Sequence, residues 1–156
     1  AREWRVRLHE EVRSSQLKGY FVTMTFDDES LIKLEEVARQ QGFKLDGYEL
    51  DNKIATLAVR RFTENWRVQK KHSLRHWLVT ELGQTNTERL HIHGIIWTDE
   101  GGDEIKKFWK YGNTWLGSYV NDKTASYIVK YLFKIDKKHK YYVPKMYVSR
   151  GIGAGE

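Results

Sequence analysis

The chain has 156 residues, 40% of them hydrophobic and 13% aromatic, which excludes a disordered polymer and suits a single domain with a proper core. Lysine and arginine outnumber aspartate and glutamate by 27 to 21, giving a net charge of +6 that favours a polyanionic partner. There is no cysteine, so disulfides and thiolate chemistry are excluded, and no apolar run reaches the length of a membrane-spanning helix.

The chain opens directly in a helical pattern with no secretory signal, as a piece of a longer protein would. From Glu3 to Ser14, Trp4, Leu8 and Val12 recur every fourth residue, predicting an amphipathic helix with Arg2, Arg5 and Arg7 on its solvated side. Tyr20 to Phe26 alternates as a strand does, with Thr23 and Thr25 on one face and Val22 and Met24 on the other. Asp27-Asp28-Glu29-Ser30 then opens a helix that runs to about Gln41, where Gly42 ends it. The two aspartates read as helix caps in preference to metal ligands. Phe43 to Leu50 reads as a strand or connection. Asp51 is expected to cap a helix from Asn52 to Lys71, with Ile54, Leu57, Ala58, Phe62 and Trp66 on its apolar stripe. Arg60, Arg61, Arg67, Lys70, Lys71 and Arg75 make this neighbourhood basic, readable equally as phosphate contacts or as an ordinary charged helix face.

Arg75 to Leu82 and Leu90 to Trp97 are both strand-like, and the polar stretch between them predicts a hairpin. Side chains two apart on a strand share a face, so His91 and His93 point the same way. A loop centred on Asn86 sets Glu81 opposite His91, bringing one carboxylate and two imidazoles together as half of a metal site or more. A register slip of one residue would turn Glu81 to the other face.

After Gly101-Gly102, a short helix is expected from Asp103 to Trp109. The aromatics interleaved with small residues in Tyr111 to Gly117 read as packing in preference to base stacking. Asn121 or Asp122 caps a further helix, on which Tyr127, Lys130, Tyr131 and Lys134 form one polar stripe and Ile128, Leu132 and Ile135 a core-facing one. The core side being supplied, the tyrosines are left to face something else. Residues 136–140 form a basic loop, Tyr141 to Val148 is extended, and Ser149 to Gly153 is expected to be a flexible terminal segment. The order of elements, with an antiparallel hairpin at its centre, indicates an α+β fold with one open sheet.

Taken together, Phe21-Val-Thr-Met-Thr-Phe26 followed by acids, Glu81-x-Gly83, His91-Ile-His93-Gly94 and Tyr127-Ile-Val-Lys130-Tyr131 stand in an order that resembles the HUH endonucleases. The resemblance is to rolling-circle replication initiators of the microvirus type, from small single-stranded DNA phages. It extends over about residues 4 to 153, and Ser149-Arg-Gly-Ile-Gly153 is similar as well. The resemblance implies one endonuclease domain with an RRM-like fold, a central antiparallel sheet of about five strands flanked by helices. It implies a divalent metal, Mg²⁺ or Mn²⁺, at Glu81, His91 and His93. Tyr127 and Tyr131 would be paired nucleophiles, with Lys130 and Lys134 repeating the Tyr-x-x-Lys spacing. The implied activity is site-specific nicking and joining of single-stranded or melted origin DNA through a 5′-phosphotyrosine, freeing a 3′-hydroxyl. Host helicase and polymerase are the implied partners, with no membrane, in the bacterial cytoplasm. The alternatives are a one-tyrosine transposase, plasmid initiator or relaxase, a non-catalytic RRM-like nucleic-acid binder, and a zinc-dependent hydrolase.

Overall fold

The computed structural model describes residues 2–14, 17–42, 46–83, 89–117, 123, 126, 127, 129, 130 and 141–152. Within these stand helices α1 (Arg2–Ser14), α2 (Asp28–Gln40), α3 (Gly47–Lys70) and α4 (Gly102–Phe108). The strands are β1 (Gly19–Thr25), β2 (Arg75–Leu82), β3 (Leu90–Trp97), β4 (Thr114–Gly117) and β5 (Met146–Val148), so the fold is α+β as expected. They form one sheet in the order β4-β1-β3-β2-β5, every neighbouring pair antiparallel. The most continuously apolar strand, β3, takes the middle, where both of its faces are covered.

Alternation along the strands sorts the core into two layers. On one face Val22, Met24, Leu78, Ile92 and Ile96 pack with Leu34 of α2, with Ile54, Phe62 and Trp66 of α3, and with Ile105 of α4. On the other, Trp77, Val79, Ile95 and Trp97 pack with Leu8 of α1, Val129 and Ile152. Each such large side chain, fully buried, contributes about 1.5–3 kcal/mol of transfer free energy. Gly94 sits at the centre because the strands close up there: a Cβ on it would fall 2.1 Å from the Trp77 carbonyl oxygen.

Three expectations are corrected. The third helix begins at Gly47, ahead of Asp51, because Tyr48 and Leu50 pack against the core and draw another turn into the helix. Asn52 is therefore inside the helix; its Nδ2 donates to the Val143 carbonyl (2.9 Å), and Tyr142 Oη lies 2.7 Å from its Oδ1 and 2.5 Å from Thr80 Oγ1. The segment from Ser149 to Ile152 is docked, with Ile152 wholly buried. Arg7 donates from Nε and Nη2 to the Ile152 carbonyl at 3.2 and 3.0 Å, and Arg75 donates to that of Gly151 at 2.8 Å. Trp115 is not packed: it is 73% exposed. Residues 123, 126, 127, 129 and 130 are helical. Asn121, Asp122, Ile128, Tyr131, Leu132, Lys134, Ile135, the 136–140 loop, Asn86 and Gly153 lie outside the described residues.

Candidate metal site

The β2–β3 register pairs Glu81 with His91, and β1–β3 pairs Thr25 with His91 and Thr23 with His93. Directly opposed residues share a face, so the hairpin delivers the carboxylate and both imidazoles to one spot, as its spacing predicts. Glu81 Oε2 lies 2.7 Å from His93 Nε2 and 3.4 Å from His91 Nε2, and the three donor atoms fall within 4.8 Å of one another. The two rings meet edge to face, 4.6 Å apart at 87°.

The far nitrogen of each ring is held as well. His91 Nδ1 lies 3.2 Å from the Arg89 carbonyl oxygen, and His93 Nδ1 lies 3.0 Å from Thr23 Oγ1. A carbonyl only accepts, so His91 donates from Nδ1 and its neutral ring presents Nε2 as a lone pair, the tautomer that a metal ligand needs. Glu81 Oε2 is buried with no aligned hydrogen bond, although two imidazole nitrogens crowd it. Burial alone would raise the Glu81 pKa; the neighbouring imidazoles of His91 and His93 outweigh it and hold the group at about 2. An ionised carboxylate and two oriented lone pairs, converging without a shared proton, are a donor set that fits a divalent cation.

The triad stands in a cleft of about 770 Å³ whose other walls are Thr25, Phe26, Asp27, Gly83, Arg89, Leu90, Trp109, Lys110, Gly112 and Asn113. Asp27 is a cap, as expected, its Oδ1 accepting from Ser30 N at 2.7 Å, while Asp28 pairs with Arg89. Gly112 lets the loop before β4 lie against the wall, since a Cβ there would meet the Thr25 carbonyl oxygen at 2.3 Å. Tyr127 is 45% exposed, and its ring is 6.0 Å from that of Phe21, which in turn lies 6.2 Å from the His93 ring. Lys130 is exposed beside buried Val129. Tyr131 and Lys134 fall outside the described residues.

The six basic residues are not brought to the cleft. α3 packs on the sheet face opposite the triad, and Arg60, Arg61, Arg67 and Lys71 are exposed there or at its end. Arg67 pairs with Glu64 at 2.5 Å, and Lys70 with Glu104 at 2.8 Å and Glu100 at 3.3 Å. Arg75 is on the triad's face, but its Nε and Nη2 bind the buried Glu11 carboxylate at 2.5 and 2.7 Å. The cations that do line the cleft, Arg89 and Lys110, carry no signal in the sequence because neither belongs to a cluster or motif. Alternation alone puts Thr23 on a consistent face of its strand, but only the β1–β3 register sets it against His93.

Fold and site together define an antiparallel-sheet α+β protein with a Glu-His-His cluster able to hold a metal ion. The family model for the replication-associated proteins of the ORF2 type matches residues 19–136, which include the whole triad, and the chain belongs to that family. No curated protein and no solved structure matches it. Among the described residues no helix is long and apolar enough to cross a membrane.

Proposed function

We propose that the chain is an initiator of rolling-circle replication that nicks and rejoins single-stranded DNA, an HUH-type endonuclease of the microvirus kind. What carries this reading is the convergence of Glu81, His91 and His93 in a cleft, on the sheet face that also bears the half-exposed Tyr127, in a replication-associated chain. Glu81, His91 and His93 would hold Mg²⁺ or Mn²⁺, which supplies Lewis-acid polarisation of a phosphate oxygen when bound.

The chain's own groups do the rest. Thr23 Oγ1 and the Arg89 carbonyl fix the imidazole orientations. Lys110, an exposed cation on the cleft wall, attracts the strand's backbone. Tyr127 or Tyr131 attacks the scissile phosphorus through Oη: the new Oη–P bond replaces the P–O3′ bond, the phenol gives up its proton, and the departing 3′-oxygen takes one up. Lys130 and Lys134 offset negative charge on the phenolate oxygen. One phosphodiester replaces another, so the step is reversible, the 5′ end stays on the tyrosine, and the free 3′-hydroxyl primes synthesis. Two tyrosines allow one to hold the 5′ end while the other cuts after a full round. Host helicase and polymerase would act on the opened origin in the bacterial cytoplasm. Arg60 and Lys71, exposed and on or at the end of α3, are the candidates for flanking phosphates.

The test is incubation with labelled single strands carrying the replicon's origin and Mn²⁺, followed by denaturing electrophoresis. A protein–DNA band that survives denaturation and disappears with EDTA is expected. Cleavage without an adduct would make the chain a hydrolase, and binding without cleavage a non-catalytic nucleic-acid module.

A further inference from the structure

Trp115 is 73% exposed, while Trp66, Trp77, Trp97 and Trp109 are at most 2% exposed. It lies on β4, at one edge of the sheet, and its orientation follows from the register. Trp115 pairs with Thr23, and Thr23 pairs with His93, so the three form one row across β4, β1 and β3 with their side chains on the same face. Adjacent strands are about 4.8 Å apart, which puts the Trp115 backbone roughly 10 Å from that of His93. Only the short Thr23 side chain stands between them, turned to His93 Nδ1 at 3.0 Å. In the next row Gly117 faces Phe21 with no side chain of its own. Lys110 and Asn113, in the loop that leads into β4, line the cleft between the indole and the triad.

We propose that Trp115 is a stacking platform for an unpaired DNA base adjoining the phosphate seated at Glu81, His91 and His93. This rests on the reading of the cleft as a single-stranded DNA site and adds to it the element that engages bases. The charge complementarity is already present, with Lys110 beside the path a strand takes from triad to indole. An exposed indole offers what a base needs, a flat apolar face, and it discriminates paired from unpaired bases because a stacked duplex hides theirs. The contact is sequence-blind, since every base has such a face. It also explains why a tryptophan at a sheet edge is left open to water when four others in the chain are buried.

The experiment uses a fluorescein-labelled mixed-sequence single-stranded DNA oligomer of about 20 nucleotides and an abasic strand of equal length, read by anisotropy in EDTA; site sizes of single-strand binders run to roughly 16 nucleotides. Trp115→Ala is expected to weaken binding of the base-bearing strand about tenfold, within the range of roughly five- to 150-fold that single stacking contacts span. Binding of the abasic strand should stay within about twofold, and Trp115→Phe should restore most of the loss. Lys110→Ala, which removes charge alone, should weaken both strands equally. Equal losses on both strands for Trp115→Ala, or no loss, overturn the stacking role while leaving the nuclease reading intact. Failure of the unaltered protein to bind either strand overturns both.

Discussion

Thr23 and Glu81 show how much the site depends on residues that do not look like ligands. Thr23 Oγ1 holds the far nitrogen of His93, and such supporting hydrogen bonds typically account for about 10- to 100-fold in metal affinity. Thr23→Val should therefore weaken Mn²⁺ binding by about that factor in calorimetric titration with the thermal midpoint little changed; an unaltered Kd would contradict the geometry described. Glu81 is held at about 2 against an ordinary 4.5, with burial opposing and the two imidazoles prevailing. A carboxylate depressed on folding contributes stability that is fully present above its unfolded value and is lost as pH falls through its folded one. Metal-free protein should accordingly lose up to about 3 kcal/mol relative to Glu81→Gln between pH 4.5 and 2, measured by urea unfolding. Parallel curves for the two proteins would show that the carboxylate is not held by the histidines. The triad itself is legible in the sequence, because hairpin spacing and the two-residue strand period are local. The role of Thr23 is not, because it depends on a pairing between strands seventy positions apart.

At the scale of elements, the β2–β3 hairpin is fixed from within by Gly94. Its Cβ position lies 2.1 Å from a carbonyl oxygen and 2.8 Å from Leu78 Cα, both backbone atoms that cannot step aside cheaply. Gly94→Ala should destabilise the fold by about 1–3 kcal/mol, read as a fall in urea midpoint, and should loosen the metal site next to it, since His93 is its neighbour on the strand. A variant of wild-type stability would mean the strands part freely there. Arg75 clamps a second junction, binding Glu11 of α1 on one side and the Gly151 carbonyl on the other. Glu11 is 2% exposed, so Arg75→Met leaves a buried carboxylate unpaired and should cost about 3–5 kcal/mol, far more than loss of a surface phosphate contact would. The same contacts explain the misread boundaries. Nothing within residues 149–152 reveals that Ile152 seals a core built by α1 and the sheet, and nothing near Asp51 reveals that Asn52 is claimed by Tyr142, ninety positions on.

Across the whole molecule, the sheet separates two jobs. Its α2, α3 and α4 side carries the larger apolar layer, and its other side carries α1, the docked 149–152 segment and the metal site. The α+β class and the central hairpin follow from period and turn chemistry, but the strand order β4-β1-β3-β2-β5 is a matter of long-range pairing. The basic composition is a fair guide to a polyanionic partner, yet charge counted along the chain cannot say which side of the sheet bears the site. Lys110, in the cleft, should lower the salt slope of DNA binding by about one when replaced by alanine, and Arg67, paired with Glu64 on the far side, should leave it unchanged. The central claim is that a phenol on the triad's side of the sheet becomes bonded to DNA. It is tested most directly by proteolysing the Mn²⁺-dependent adduct and mapping the modified peptide by mass spectrometry. The account predicts phosphodeoxynucleotide on Tyr127 or Tyr131, lost when both are phenylalanine; an adduct on any other residue, or none while the DNA is still cut, would contradict it.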